Sequence, residues 1–407
     1  MAVEIEAAYK AVTPMFCGGA DPQRSELRLS SFKGVLRYWW RALAWTKYKG
    51  DLNKIREREN KLFGSAEDGQ SLVTMRLGTV DRDLDEIRIR KGKKLTVNSR
   101  VGHGGSSGAG VGFGVWYLGY GVMNHKGELS RECFSAPFEF QIQMRVRVKH
   151  IDLNLLQDAL IAVGVFGGMG AKSRKGYGSL VLRSLIVDGE ERWNAPRSAS
   201  ELENHIKRLH QDSRNATLPK YDRNAMLPKY TAFSAGTRHL LVSSKSNQSL
   251  ELLNLIGREL IRYRSWGRNG KILGNVESER NFQDDHDLMK DVKSNEPPNK
   301  HPRRVAFGLP HNYGKKQIGP AEPSLNRRAS PLFIHIHECG DKPVAVLSFI
   351  PARFLPEGKS DIRVGGKDVR QALESELYQP ICEFLDRLLD PEKREEKNIE
   401  RVGEVKP

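Results

Sequence analysis

The stretch "DLNLLQDALIAVGVFGGMGAKSRKGYGSLVLRSLIV", Asp152 to Val187, reads as a helix, a glycine-rich loop and an apolar strand. Asp152 can cap the helix, which runs through an apolar series to Phe166. "LVLRSLIV" then supplies a strand. Between them, Gly167, Gly168, Gly170, Gly176 and Gly178 shape a loop carrying Lys172, Arg174 and Lys175. Glycines let main-chain N–H groups approach a phosphate, and the three cations add charge. A Walker loop is excluded. It needs GxxxxGK[ST] between a strand and a helix, whereas here Ala171 replaces the last glycine and a strand follows. The plain alternative is a flexible turn.

Working outward, "FEFQIQMRVRV" alternates with Phe138, Phe140, Ile142 and Met144 on one side, and Val3 to Val12 alternates likewise. Ser30 or Ser31 can cap a helix to about Tyr48, a second helix covers Leu52 to Leu62, and "SLVTMRLGTV" and "EIRIR" are strand-like. The glycine run after Arg100 supports no regular element. The order of strand, helix, strands, helix, strand is the split βαβ arrangement, an α+β fold with helices on one face of an antiparallel sheet. Such a sheet hosts many unrelated functions.

Beyond Asp188 the pattern dissolves into charge, with a tandem duplication, "RNATLPKYD" from Arg214 and "RNAMLPKYT" from Arg223, too short for a solenoid. From Thr231 the element order loosely echoes the first half: "RHLLVSS" as a strand, "SLELLNLIGRELIRYRSW" as a helix, "RVAFGLP", "PLFIHIHE" and "PVAVLSFIPARF" as strands, and "DVRQALESELYQPICEFLDRLL" as a last helix. The charged tail after it should fray.

In "FKGVLRYWWRAL", Phe32 to Leu43, a helical wheel gathers Val35, Leu36, Trp39, Ala42 and Leu43 on one side. Lys33, Arg37, Trp40 and Arg41 share the other. Trp39 belongs to the core. Trp40 lies in the basic stripe, where its ring can stack on a nucleobase or pack beneath arginine stems.

The chain has 407 residues, enough for two domains, and its 66 basic against 50 acidic residues give a formal charge of +16. That excess suggests a polyanionic partner. Cys17, Cys133, Cys339 and Cys382 are scattered, without CxxC spacing, which argues against a zinc ribbon or a disulfide framework and fits a reducing cytosol. No apolar run approaches the ~20 residues of a membrane span. The expectation is a soluble, cytoplasmic protein.

"PMFCGGADPQRSELRLSSFKGVLRYWWRAL", "LFGSAEDGQS" and "GVFGGMGAKSRKGYGSL", with "RVAFGLP" later, resemble the RAMP proteins of CRISPR systems, and most closely the first-subunit family of the type III-B Cmr complex. The resemblance is strong over Thr13 to Ser179 and looser beyond. It implies two tandem ferredoxin-like (RRM-like) domains, placed at 1–188 and 231–395, a linker or insertion at 189–230 and a charged tail at 396–407. It further implies a non-catalytic RNA-binding subunit of an antiviral effector, near the 3′ portion of the guide. The partners would be single-stranded RNA or guide–target duplex and other Cmr subunits, with no membrane, cofactor or metal. Lys33, Arg37, Trp40, Arg41, Lys172, Arg174 and Lys175 match the family's basic motifs and carry RNA contact by resemblance.

Second-tier basic candidates are Arg303, Arg304, His311, Lys315, Arg327 and Arg328, and "RIRKGKKLTVNSR" can track a backbone or be a solvated face. Two other classes stay open. A metal-independent endoribonuclease needs a base and an acid, for which His103, His301, His311, His335, His337 and Tyr177 are available. "DDHD" at Asp284 to Asp287 looks metal-like but fits a solvated acidic loop better. A structural adaptor would turn the basic surface toward acidic protein neighbours.

Overall fold

A computed structural model describes residues 2–97, 112–147, 151–210, 227–267, 269–273, 276–291, 300–313 and 316–405. Lys315, His103 and most of the duplicated segment lie outside them.

The first sheet contains β1 (Ala2–Ala11), β2 (Val73–Val80), β3 (Phe138–Arg147), β4 (Leu180–Val187) and β5 (Glu190–Asn194) in the spatial order β2-β3-β1-β4-β5. Every neighbouring pair is antiparallel. Period-two alternation fixes the register: Ile5 faces Met144 and Ala7 faces Ile142, all four buried, while Glu4 and Glu6 point to water. The second sheet contains β6 (Arg238–Ser244), β7 (Leu332–Cys339), β8 (Lys342–Phe349) and β9 (Ile399–Val405) in the order β7-β8-β6-β9. Apart from the added edge strand β5, both sheets place their strands in the sequence second, third, first, fourth.

The helices include α1 (Leu29–Lys47), α2 (Leu52–Phe63), α3 (Phe113–Leu118), α4 (Leu153–Phe166), α5 (Ala199–Leu209), α6 (Ser249–Arg264) and α7 (Gln379–Leu389). One core runs from the first sheet through α1 and α4 to Leu241, Phe333 and Val346 of the second. A second core joins the opposite face of that sheet, through Leu240, Val242, Ile334 and Leu347, to α6 and α7. The layers are therefore sheet, helices, sheet, helices. A sheet covered on both faces needs near-continuous apolar strands, which explains the almost uninterrupted burial of β7 and β8.

Asp152 caps α4 as expected, its carboxylate accepting from the Leu155 N–H at 3.0 Å. α1, in contrast, begins at Leu29, ahead of the expected caps Ser30 and Ser31, and Arg28 at its start supplies no side-chain cap. "RVAFGLP" is no strand: Arg303–Phe307 form a 3-10 turn closed by Gly308 at φ 110°. The tail expected to fray ends instead in β9, because Ile399 and Val405 bury against β6 while Glu400 and Arg401 stay exposed. Part of the expected linker is ordered as β5 and α5, the latter burying Leu202, Ile206 and Leu209.

Candidate nucleic-acid interface

Much of the basic stripe of α1 is turned against α2. After α1 the chain turns tightly through Lys49 and Gly50, both at positive φ, and lays α2 alongside. Glu59, 8% exposed at its side chain, accepts from Arg37 Nε and pairs with Arg41 Nε at 3.4 Å. Trp40 is 2% exposed, with its ring 6.1 Å from Phe63 and 6.4 Å from Tyr48. The expectation that Trp40 offers its ring to a base is therefore corrected: α2 covers it, and the two arginines neutralise a carboxylate. Lys33 has no side-chain partner among the described residues; burial, then the charge of Arg37, lowers its pKa.

The glycine loop also differs from a phosphate cradle, because its N–H groups are largely used internally. Met169 donates to Gly178, Ala171 to Phe16, Gly178 to Pro14, and Ser179 to the Thr13 hydroxyl, all near 2.9 Å. Its glycines answer a packing demand. Gly178 has φ 58°, and a Cβ there would lie 2.1 Å from the Met169 carbonyl. The loop's outer edge continues the second sheet. Ile334 N–H donates to the Arg174 carbonyl at 3.0 Å, Ile336 N–H donates to Ser179 Oγ at 3.1 Å, and His335 Nδ1 lies 2.8 Å from the Gly167 carbonyl. The loop is thus the seam between the two halves.

Two adjoining clefts open along this seam and share Tyr38 and Arg174. The smaller, about 270 Å³, lies between α1 and the glycine loop and includes Gly34, Gly168 and Ser173. The larger, about 480 Å³, brings Arg41 and Arg174 together with Lys229, Arg327, Arg328 and Arg353, against one carboxylate, Glu357. Arg174 is held rigidly: its guanidinium donates to the Ser330 carbonyl at 2.8 Å and lies 4.5 Å from the centre of the Phe333 ring. Arg353 pairs with Glu357 at 2.5 Å, whereas Arg327 is exposed and has no partner among the described residues. Fixed cations around a trough with Tyr38, Tyr230 and Phe354 can hold phosphates and stack bases. Sequence reasoning missed Tyr38, Lys229, Tyr230 and Arg353, which carry no periodic or motif signal and converge only through the fold.

Of the remaining candidates, Lys172 and Arg327 lie within electrostatic range of one another, and burial followed by the charges of Arg327 and Arg131 lowers the lysine pKa. Lys175 is half-buried behind them. Burial first, then Arg264, Lys172 and Arg174, brings its pKa down to about 7. Arg303 pairs with Glu383 at 2.9 Å, and the backbone N–H groups of Arg303 and Arg304 both donate to Asp285 at 2.8 Å. His311 is wedged between Arg264 Nη2 at 3.3 Å and the Arg304 carbonyl at 2.9 Å. Arg303, Arg304 and His311 do not line either cleft.

His335 and His337 are each 1% exposed. Burial brings the His335 pKa to about 3 and that of His337 well below its ordinary value. The Tyr177 hydroxyl is buried and donates to the Val115 carbonyl at 2.6 Å. Asp285 of the "DDHD" motif serves as an acceptor for Arg303 and Arg304, not as part of a solvated loop. Among the described residues no group of three or more His, Cys, Asp or Glu is placed to hold a metal, and no helix is long and apolar enough to cross a membrane.

Residues 8–181 match the RAMP superfamily. The CRISPR system Cmr subunit Cmr1-1 of Pyrococcus furiosus is 23% identical over 353 residues, 82% of this chain and 83% of the relative. In fold, the chain is similar to the crystal structure of Cmr1 from Pyrococcus furiosus in its apo form, with TM-score 0.51 and 18% identity over 99% of this chain and 98% of the other. It is likewise similar to a chain of the type III-B Cmr-beta complex bound to cognate target RNA and AMPPnP in the presence of ssDNA, with TM-score 0.51 and 12% identity over 95% and 100%.

Proposed function

We propose that this RAMP-superfamily protein is a non-catalytic, RNA-binding subunit of a type III-B CRISPR effector, holding guide or target RNA near the guide 3′ region along the double cleft at the seam. The observation that carries this reading is the larger cleft, where six cations face one carboxylate around aromatic walls. Such a surface releases condensed counterions when it takes a polyanion. The subunit name of the Pyrococcus relative and the RNA in the Cmr-beta structure supply the context. The repeated strand order supports reading the two halves as ferredoxin-like units. A place in the cytoplasm, where guide transcripts are found, goes with the same reading.

Non-catalytic action is supported by the histidines. A general base must reach the 2′-hydroxyl it deprotonates, and His335 and His337 are enclosed between the sheets. The test is binding of a single-stranded oligoribonucleotide by the purified chain across a salt series, with the RNA's integrity followed in the same samples. Binding that weakens steeply with salt, is reduced in Arg327→Ala, and leaves the RNA whole is the expected result. Cleavage that persists after removal of divalent metal and vanishes on histidine substitution would replace this reading with a nuclease. Absence of binding at low salt would leave a protein adaptor.

A further inference from the structure

Tyr120 is 68% exposed, a large aromatic ring standing in water outside both clefts. It is not on a loose loop. Its N–H donates to the Tyr117 carbonyl, Val122 and Met123 both donate to the Gly119 carbonyl, and Tyr120 bridges to Met123. The turn is seated on the glycine loop, since the Tyr177 hydroxyl lies only 2.9 Å from where a Cβ on Gly119 would be. The next residue, Gly121, has φ 97°, and a Cβ there would lie 3.6 Å from Lys172 Nζ. The lysine ammonium is thus held beside the turn that carries Tyr120.

Lys172 is unusual in itself. It occupies the left-handed region at φ 65°, which side chains other than glycine, asparagine and aspartate rarely adopt. It is half-buried, and its ammonium has no carboxylate partner among the described residues. Arg131 is near it and has a buried Nε without a hydrogen-bond partner. A strained backbone that holds an unpaired cation against other cations is a cost, and such costs cluster where a ligand offsets them.

From this juxtaposition we infer that Tyr120, Lys172 and Arg131 form a single-nucleotide subsite, the tyrosine ring stacking on one unpaired base while the two cations hold its phosphate. The inference rests on the RNA-binding reading above and adds a site outside the double cleft. Stacking on an aromatic ring is tolerant of base identity, so the subsite takes any unpaired base and adds no sequence preference.

The experiment compares a single-stranded oligoribonucleotide with a fully abasic chain of the same length, each binding to the full-length protein, in wild type, Tyr120→Ala and Tyr120→Phe. Wild type should favour the base-bearing chain, and the part of that preference owed to the one base on Tyr120 should be between about 5- and 150-fold. Tyr120→Ala should lose that part of the preference while keeping the salt slope, and Tyr120→Phe should keep both. A control in the exposed Leu373, Leu373→Ala, should behave as wild type. If Tyr120→Ala retains the full preference while RNA still binds, the subsite is wrong and the double cleft stands. If wild type binds neither chain, the RNA reading and the subsite fall together.

Discussion

Arg37 and Arg327 are both arginines that a charge count would assign to RNA, yet the structure gives them opposite roles. Arg37 donates to a nearly buried carboxylate, and Arg327 stands exposed at the cleft with no partner among the described residues. Removing one partner of a fully buried ion pair costs about 3–5 kcal/mol, and breaking an exposed pair costs about 0.2–1 kcal/mol. The pair with Glu59 lies between these limits, with side chains 35% and 8% exposed, and Arg41 remains 3.4 Å from the carboxylate as a substitute. Arg37→Ala should therefore destabilise the protein by about 1–2 kcal/mol. Arg327→Ala, a surface change, should stay within about 0.5 kcal/mol. In binding the order reverses. Loss of one phosphate contact to a single strand lowers the slope of log K against log salt by about 0.7, expected for Arg327→Ala and not for Arg37→Ala.

The assay pairs urea unfolding, followed by tryptophan fluorescence, with RNA titrations at several salt concentrations on the same preparations. If Arg37→Ala unfolds at the wild-type urea midpoint and lowers the salt slope by a full contact, the Glu59 clamp is not what holds that arginine. The basic stripe would then face RNA after all.

Further outcomes can be checked on the same material. Gly178→Ala should cost about 2–4 kcal/mol, from left-handed backbone strain plus the clash with the Met169 carbonyl. Gly69→Ala has φ 85° but open space around it, and should cost only about 1 kcal/mol, so equal losses in urea unfolding would refute the packing account of the glycine loop. Stability should also fall with acidity. His335, His337 and His239 are held neutral with pKa values below the ordinary 6.5, so the unfolded chain binds more protons as pH drops through 6.5. Each contributes a loss of up to about 1.4 kcal/mol per pH unit, continuing for His335 to about pH 3; an unfolding free energy flat between pH 6.5 and 5.5 would refute it.

Most strands and long helices were legible because their patterns are local. Val3 to Ala11 and Phe138 to Val146 alternate, and Asp152 announces α4. The reading failed where a residue's partner comes from a distant segment. Trp40 and Arg37 read as a basic face because nothing in α1 reveals that α2 will cover them, Phe63 against the tryptophan and Glu59 against the arginine. β9 read as a fraying tail because its edge position is set by β6, some 160 residues earlier. Lys172, Arg174 and Lys175 were singled out by charge, but their environments separate them: Arg174 is clamped at the seam, Lys175 is half-buried, and the Lys172 ammonium lies beside Gly121 in the turn that carries Tyr120.

The glycine loop explains why the cleft cannot belong to either half alone. Its inner bonds to Pro14 and Phe16 tie it to the first half, and its outer bonds to Ile334 and Ile336 tie it to the second. Arg174 sits where those two sets of bonds meet, with its guanidinium over Phe333 and Tyr38. The first half contributes Tyr38, Arg41 and Arg174 to the larger cleft, and the second contributes Arg327, Arg328 and Arg353. Shifting the halves apart by a single hydrogen-bond step along β7 would carry the two groups of cations past one another. The glycines that let the loop pack so closely therefore act on RNA binding at one remove, by fixing the spacing of charges they do not themselves carry.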